Sequence, residues 1–308
     1  MSCHARSCQT DYVGATLYGQ RHRLFGFCCS HYGRGHDGPL FLEFLKTVEA
    51  TPNAIVFGLG DYLDFTRTTH RSNLRGFGGD DLGFREEVDT MVMKQLVEPY
   101  VWLFRKHAPS ALKRHAFLGF VEGNHHYEFL NGTTSTQKIC ELLGIRYLGL
   151  SAWVQLACYR SKGKTKLGTG KNLNVVLNHS ASSSGNLSGS LAQANKKLAG
   201  CRGVDVFLTG NDHQLGHEVQ QQIGCTQSGV ARMMQHEVVI GKCGSFQKGY
   251  EEGAQAQSYV EKKFLRPSHL GWLSFDAWAY CRSTTHAERA ALGVTHTPEV
   301  WRFGAFNV

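Results

Sequence analysis

Short apolar runs recur along the chain, and a polar turn follows most of them. The runs that are bounded by turn residues, as buried strands are, cover 24–28, 54–57, 116–121, 173–177 and 204–209. Helical spacing and capping signals predict helices from Pro39, over 86–98 up to Pro99, and after the capping boxes 134–137 and 190–193. Further strands are predicted near 146–149, 152–159, 237–241, 273–280 and 300–306. This alternation predicts an α/β protein.

The chain has 308 residues, of which 42% are hydrophobic and 19% charged, so it can form a packed core. Residues 1–22 show little pattern and are predicted to form a loosely attached arm. The absence of a repeat or linker predicts one domain over 1–308, with 250–308 as its C-terminal extension. No apolar segment approaches the ~18 residues of a membrane span, and the ten cysteines form no C-x-x-C pair. We expect a cytoplasmic protein with reduced thiols and no membrane partner.

A formal net charge of +8 favours anionic partners, either a phosphate ester or nucleic acid, although an ordinary basic surface would give the same charge. The basic run 160–166 is predicted to be a solvated hairpin loop. The long Gly/Arg-rich loop 66–84 is either a solvated loop or a substrate-binding element. Its candidate phosphate-binding residues are Arg67, Arg71 and Arg75. The oligomeric state is left open.

Five predicted strand ends carry side chains that suit metal binding. Because consecutive strand ends of an α/β sheet meet at one edge, we expect these side chains to converge. Carboxylate, imidazole and amide groups gathered in this way suit two divalent cations ~3.5–4 Å apart, a centre that clamps a phosphoryl group. The five turns contain Cys29/His31, Asp61/Asp64, Asn124/His125, His179 and Asn211/His213.

The ordered series resembles the signature of the calcineurin-like metallophosphoesterases, and within them a divergent phage and bacterial branch. That signature reads D-x-H, G-D-x-x-D, G-N-H-[DE], a lone His and G-H-x-H. Here it stands as Cys29-Ser-His, Gly60-Asp-Tyr-Leu-Asp, Gly123-Asn-His-His, His179 and Gly210-Asn-Asp-His. The resemblance implies a metallophosphoesterase-type four-layer αββα sandwich, in which helices flank two mixed β-sheets and a dinuclear site lies on one edge.

The resemblance also implies a role for each site residue. The first cation would be bound by Cys29, His31, Asp61 and His213, and the second by Asp61, Asn124, His179 and Asn211. Asp61 would bridge the two cations, and His125 would act on the leaving-group oxygen as a general acid or would bind phosphate. The implied cofactor is a pair of Mn, Zn or Fe ions. The implied reaction is hydrolysis of a phosphomonoester or phosphodiester by a hydroxide held at the centre.

Three positions depart from the family pattern. Cys29 replaces an aspartate; as a thiolate it would favour zinc or iron, and as a buried thiol it would bind nothing. Asn211 replaces a histidine, which weakens the second cation unless Asp212 or His217 substitutes for it. His126 replaces the acid that orients the catalytic histidine. A degenerate binding module with one cation or none is therefore the main alternative, and a nuclease acting on DNA is a narrower one. Asp64 is read as a turn-capping or supporting residue.

Overall fold

The computed structural model of the chain describes residues 9–12, 21–33, 35–65, 82–157, 159–162, 165–169, 172–179, 186–225, 233–250, 261, 266–281 and 299–307. These residues form two six-stranded mixed β-sheets with helices on their outer faces. The predicted fold class is therefore confirmed. None of the helices in the described part of the chain is long and apolar enough to cross a membrane.

The first sheet contains a parallel group of four strands and two antiparallel strands at one side. Its order is β14-β13-β2-β3-β4-β5. The strands are β2 (His22–Phe27), β3 (Ala54–Gly58), β4 (Phe117–Phe120), β5 (Arg146–Tyr147), β13 (Leu273–Cys281) and β14 (Glu299–Asn307).

The second sheet has the order β1-β6-β9-β10-β12-β11, with β9, β10 and β12 parallel to one another. Its strands are β1 (Gln9–Tyr12), β6 (Ser151–Ala157), β9 (Leu173–Asn178), β10 (Val206–Thr209), β11 (Leu215–Cys225) and β12 (Met233–Cys243). A separate hairpin consists of β7 (Tyr159–Lys162) and β8 (Thr165–Thr169). It coincides with the basic run 160–166, for which a hairpin loop was predicted.

The helices are α1 (Gly38–Ala50), α2 (Leu82–Val92), α3 (Glu98–His107), α4 (Pro109–Lys113), α5 (Ser135–Leu143) and α6 (Leu187–Leu198), with a π-helical turn, Met93–Val97, between α2 and α3. Two of the predicted helix starts are confirmed. Asp37 caps α1 by accepting the Leu40 N–H, with proline in the first turn. Thr134 and Gln137 form the capping box of α5.

Alternating side chains on the strands define the four layers, because successive residues of a strand point to opposite faces. On β2, Phe25 and Phe27 pack with the residues of α1 and α3, whereas Leu24 packs between the two sheets. On β10, Leu208 faces the same inter-sheet core, and Phe207 faces α6 on the other side. The order of layers is therefore helices, first sheet, second sheet, helix.

Two helix predictions were wrong at their boundaries. Pro99 does not end the helix; it lies in the first turn of α3 after the π-helical turn, where a missing N–H is tolerated. Ser190 does not cap α6. Asn186 is the cap and accepts the Gly189 N–H at 2.7 Å, and Ser190 lies one turn inside the helix. Its hydroxyl instead donates to Asp212, a tertiary contact that outweighs the local capping preference.

Two stretches of strand were not predicted from the sequence. The arm predicted over residues 1–22 contains a strand, since residues 9–12 pair in parallel with residues 154–157 of β6, and His22 is the first residue of β2. The sequence pattern did not predict β11, whose three consecutive glutamines obscure an alternating pattern. It pairs along its whole length with β12, so the hairpin partner rather than its own composition stabilises it.

Candidate metal centre

The turns after five parallel strands meet at one edge of the two-sheet core. In the first sheet the turns follow β2, β3 and β4, and in the second they follow β9 and β10. Backbone hydrogen bonds join neighbouring turns: the Cys29 N–H donates to the Gly60 carbonyl at 2.9 Å, and the His31 N–H donates to the Asp61 carbonyl at 3.0 Å. The side chains predicted to bind metal are thus held on connected backbone.

The backbone of this edge is strained at the predicted ligand positions. Seven non-glycine residues in the described ranges have a left-handed φ, and five of them are predicted metal ligands. Each such residue costs roughly 1–3 kcal/mol and persists only where the surrounding structure enforces it, as it does at functional sites. The five are Cys29 (φ 51°), His31 (φ 41°), Asp61 (φ 55°), Asn211 (φ 74°) and His213 (φ 54°).

Two glycines allow these turns to approach one another. Gly60 has φ +96°, a conformation that suits glycine, and a Cβ there would lie 2.7 Å from the Gly123 Cα. A Cβ at Gly123 would lie only 2.0 Å from Asp61 Oδ1. The turns after β3 and β4 can therefore touch only because both positions lack a side chain.

Asp61 lies at the centre of the cluster, with a side chain that is 1% exposed. Its Oδ1 accepts the His125 N–H at 2.8 Å, and its Oδ2 lies 3.0 Å from His179 Nε2 and 4.0 Å from His31 Nε2. Burial alone would raise the pKa of this carboxyl, but the charge and hydrogen bond of His179 outweigh it, and the pKa lies well below its ordinary value. Asp61 is therefore held as a carboxylate.

Hydrogen bonds at Nδ1 orient two of the histidines. The Nδ1–H of His179 donates to the Leu59 carbonyl, and His213 Nδ1 hydrogen-bonds with the Ser268 hydroxyl at 3.0 Å. Such bonds fix an imidazole ring so that Nε2 is the nitrogen offered to a metal. His31 differs, because its buried Nδ1 has no hydrogen-bond partner among the described residues. Its Nε2 is the nitrogen that faces the cluster, 4.0 Å from Asp61 Oδ2.

The protonation of the three histidines differs with their surroundings. Burial lowers the pKa of His31 to about 3 and that of His213 to about 4, so both rings are neutral at pH 7, the form that binds metal. Burial would also lower the pKa of His179, but the adjacent Asp61 carboxylate reverses the effect and raises the pKa to about 9. In the absence of a cation, a proton on His179 therefore balances the Asp61 charge.

Several acceptor atoms converge beside Asn124. Rotating its amide would place the nitrogen 2.8 Å from Asp61 Oδ2 and 3.3 Å from Asn211 Oδ1, whereas in the unrotated form its oxygen accepts from the protonated His179 Nε2 at 3.1 Å. An amide donor can satisfy these atoms, and so can a cation. The set consists of the four residues predicted to bind the second cation.

Two overlapping groups of ligand atoms lie close enough to hold a metal ion. Within the described part of the chain these are Cys29, His31 and His213, and Cys29, Asp61 and His179. In each group the ligand atoms all lie within 4.8 Å of one another. The residues present therefore suit metal binding, and the adjacent turns supply Asn124 and Asn211 beside them.

Other predicted site residues lie elsewhere. The Asp64 N–H donates to the Tyr32 carbonyl at 3.1 Å, and Asp64 belongs to neither ligand group. The replacements considered for Asn211 are both engaged: Asp212 pairs with Lys242 at 2.7 Å, and the His217 ring stacks on Phe306 at 3.9 Å. Residues predicted to bind substrate phosphate lie outside the described residues: Arg67, Arg71 and Arg75.

Two residues that support the site had no role assigned from the sequence. Lys242 is buried, with Nζ 2.7 Å from Asp212 Oδ2 and a hydrogen bond to the Thr209 hydroxyl at 2.8 Å. A lysine inside the apolar strand β12 was a usable signal, since a buried lysine needs a partner. Ser268, which contacts His213, had no comparable signal because a serine in a loop is ordinary.

No family model matches the chain, and no curated protein matches it. Similar solved structures include a point variant of Vps29 from Entamoeba histolytica, with 12% identity over 83% of this chain and 91% of that chain and a TM-score of 0.30. Vps29 from Chaetomium thermophilum has 13% identity over 92% and 97%, with a TM-score of 0.32. Vps29 from Cryptosporidium parvum has 12% identity over 92% and 98%, with a TM-score of 0.30.

Proposed function

We propose that this chain is a metal-dependent phosphoesterase that hydrolyses a phosphomonoester or phosphodiester at a dinuclear centre. The observation that carries the proposal is the pair of overlapping ligand groups, which meet at Cys29 and lie on the turns after β2, β3, β9 and β10. The order of these turns is similar to that of the divergent phage and bacterial metallophosphoesterases. The proposed location is the cytoplasm.

Two divalent cations, when bound, clamp a phosphoryl group between them and lower the pKa of a water to give the nucleophile. In this chain His31 and His213 would hold the first cation together with Cys29 and Asp61. Asn124, His179, Asn211 and the shared Asp61 would hold the second. The low exposure of Asp61 and His31 keeps bulk water from competing for these ligands.

His125 is suited to act on the leaving group. Its backbone N–H donates to Asp61 Oδ1, so the residue is fixed to the centre of the cluster. Its ring centroid lies 5.8 Å from that of His31, and the residue is half-buried, so it borders both the cluster and solvent. A protonated imidazole at this position would donate a proton to the departing alkoxide oxygen.

The donor set favours zinc or iron over manganese, because the Cys29 sulfur is a soft ligand. To test the proposal, the purified chain is stripped with chelator and reloaded with Zn²⁺, Fe²⁺ or Mn²⁺. Metal content and hydrolysis of nitrophenyl phosphate and bis-nitrophenyl phosphate are then measured. We expect close to two ions per chain and hydrolysis of at least one ester. No bound metal together with no hydrolysis would refute the proposal.

The second candidate function is a binding module with one cation or none, and Asn211 is the observation that favours it. An amide oxygen is a weaker ligand for zinc than the imidazole it replaces. A stoichiometry of one ion or fewer, with activity appearing only in the Cys29→Asp/Asn211→His variant, would favour the module.

A nuclease is the narrower form of the enzyme. Binding to DNA that weakens steeply with salt would support it, and no binding at low salt would remove it.

A further inference from the structure

We propose that the Cys29 sulfur is shared by both cation positions, so that the centre is bridged by a thiolate as well as by the Asp61 carboxylate. The inference rests on the proposed metal centre and specifies how this chain builds it. Cys29 is common to both ligand groups, with Sγ within 4.8 Å of the His31 and His213 nitrogens and, in the other group, of Asp61 and His179. The sulfur is therefore the one ligand atom that belongs to both groups among the described residues.

A second observation points to a cation beside this sulfur. His31 is 1% exposed, and its Nδ1 has no hydrogen-bond partner in the described part of the chain. A buried polar atom without a partner costs about 1–3 kcal/mol, so such atoms are rare unless a missing ligand satisfies them. His31 belongs to the same ligand group as Cys29, and its Nε2 lies 4.0 Å from Asp61 Oδ2, so this ring borders both the sulfur and the bridging carboxylate.

The backbone of Cys29 is fixed from three sides. Its N–H donates to the Gly60 carbonyl at 2.9 Å, and its own carbonyl accepts from the Phe246 N–H at 3.0 Å and from the Ser245 hydroxyl at 3.1 Å. The residue is fully buried and has φ 51°. Buried backbone groups need such partners in any case, but together they fix the direction of the Cys29 side chain, which a metal ligand requires.

The neighbouring thiol serves as an internal comparison. Cys28 is equally buried, but its Sγ donates to the Gly244 carbonyl at 2.9 Å and the residue belongs to neither ligand group. The two adjacent cysteines therefore have different roles, one a hydrogen-bond donor and the other a ligand. When Cys29 binds, its S–H bond breaks, the proton leaves to water, and the sulfur electron pairs form the bonds to the cations.

The test uses ¹¹³Cd²⁺ as the probe, added to the metal-free full-length chain. We expect a thiolate-to-cadmium charge-transfer band that grows up to two equivalents, and ¹H–¹¹³Cd correlations from the Cys29 β-protons to both cadmium nuclei. Correlation to one cadmium only, or a band that stops growing at one equivalent while the second ion still binds, would overturn the shared sulfur. That result would leave the dinuclear proposal intact, whereas no cadmium binding would overturn both.

Two variants complete the test. Orienting residues of a metal site cost about 10–100-fold in affinity when mutated, so Cys29→Ser should cost at least about 100-fold for each cation. The matched control is Cys28→Ser, whose hydroxyl retains the donor to Gly244, and it should keep both affinities and the band. Loss of affinity for only one cation in Cys29→Ser would overturn the inference, as would a band that depends on Cys28. Circular dichroism and urea titration of each variant separate ligand loss from unfolding.

Discussion

Lys242 carries a buried positive charge at the end of β12, and replacing it with methionine tests how the turn that bears Asn211 and His213 is held. Lys242 Nζ lies 2.7 Å from Asp212 Oδ2, and the two side chains are 1% and 2% exposed. Asp212 also accepts a hydrogen bond from Ser190, so this carboxylate ties α6 and β12 to the turn. Methionine preserves the length and packing of the lysine stem and removes the charge together with the hydrogen bond to the Thr209 hydroxyl.

Removing one partner of a buried ion pair leaves the other charge uncompensated and costs about 3–5 kcal/mol. We therefore expect Lys242→Met to lower the free energy of unfolding by that amount. The matched control is Lys138→Met, since Lys138 Nζ lies 2.9 Å from Glu141 Oε2 but the Glu141 side chain is 68% exposed. Surface pairs of this kind contribute roughly 0.2–1 kcal/mol.

Urea unfolding followed by circular dichroism, with chelator present, measures both variants against the parent chain. In the Lys242→Met/Asp212→Asn double variant neither charge remains, so part of the lost stability should return, with a coupling energy on the order of 3 kcal/mol. Isothermal titration with Zn²⁺ then measures whether the freed turn binds metal more weakly. If Lys242→Met costs no more than Lys138→Met, or if the double-mutant cycle shows no coupling, the ion pair does not hold the turn.

Three further predictions concern the centre itself. Asp61→Asn should abolish hydrolysis and metal binding and cost more activity than any change at Asn211, because Asp61 belongs to both proposed cation sites and Asn211 to one. His125→Ala should lower kcat by about 10²–10⁴-fold and leave two bound ions, as expected for a proton donor that is not a ligand. Gly123→Ala should prevent metal binding, because its Cβ would lie 2.0 Å from Asp61 Oδ1. Hydrolysis assays and metal analysis measure all three.

Each of these predictions has its own contradicting outcome. An Asp61→Asn variant as active as Asn211→Ala would show that the bridging ligand is misplaced. Loss of one ion in His125→Ala would make this histidine a ligand rather than a proton donor. Normal metal content in Gly123→Ala would mean that the turns separate without cost. Gly132→Ala is the control for added side-chain volume, since no atom lies within 4 Å of its Cβ position, although its φ of +78° means that stability must be measured as well.

The gathering of the five turns was predictable because it follows from two simple rules. Apolar runs bounded by turn residues predict buried strands, and parallel strands separated by helices place their carboxyl ends at one edge. Asp61, His179 and Asn124 therefore lie together as the order of the turns predicted. The sequence did not reveal the backbone conformation that makes the contacts possible. The left-handed φ at Cys29 is held by tertiary hydrogen bonds, and a cysteine gives no sequence signal of it.

Helix boundaries failed for a related reason, since a local signal competed with a contact from a distant part of the chain. Ser190 and Gln193 have the spacing of a capping box, yet Asn186 caps the helix and Ser190 bonds to Asp212. Asp212 lies in the turn after β10, and rules based on neighbouring residues do not take such a distant contact into account. The buried ion pair of Lys242 was not predicted for the same reason, because its partner Asp212 lies 30 residues earlier in the sequence.

Two described stretches, 243–250 and 266–271, contribute none of the proposed ligands, yet they contact turns on both sides of the centre. Ser245 and Phe246 hold the carbonyl of Cys29, while Ser268 contacts the His213 ring and the His269 N–H donates to the His213 carbonyl at 2.9 Å. The two links are joined, because the Ser245 N–H donates to the His269 carbonyl at 3.0 Å. Hydrogen bonds between these two stretches therefore couple the position of Cys29, after a strand of the first sheet, to that of His213, after a strand of the second. Because Cys29 is proposed to serve both cations, substitutions at Ser245 or Phe246 should change the affinity for both, whereas substitutions at Asn124 should change only one.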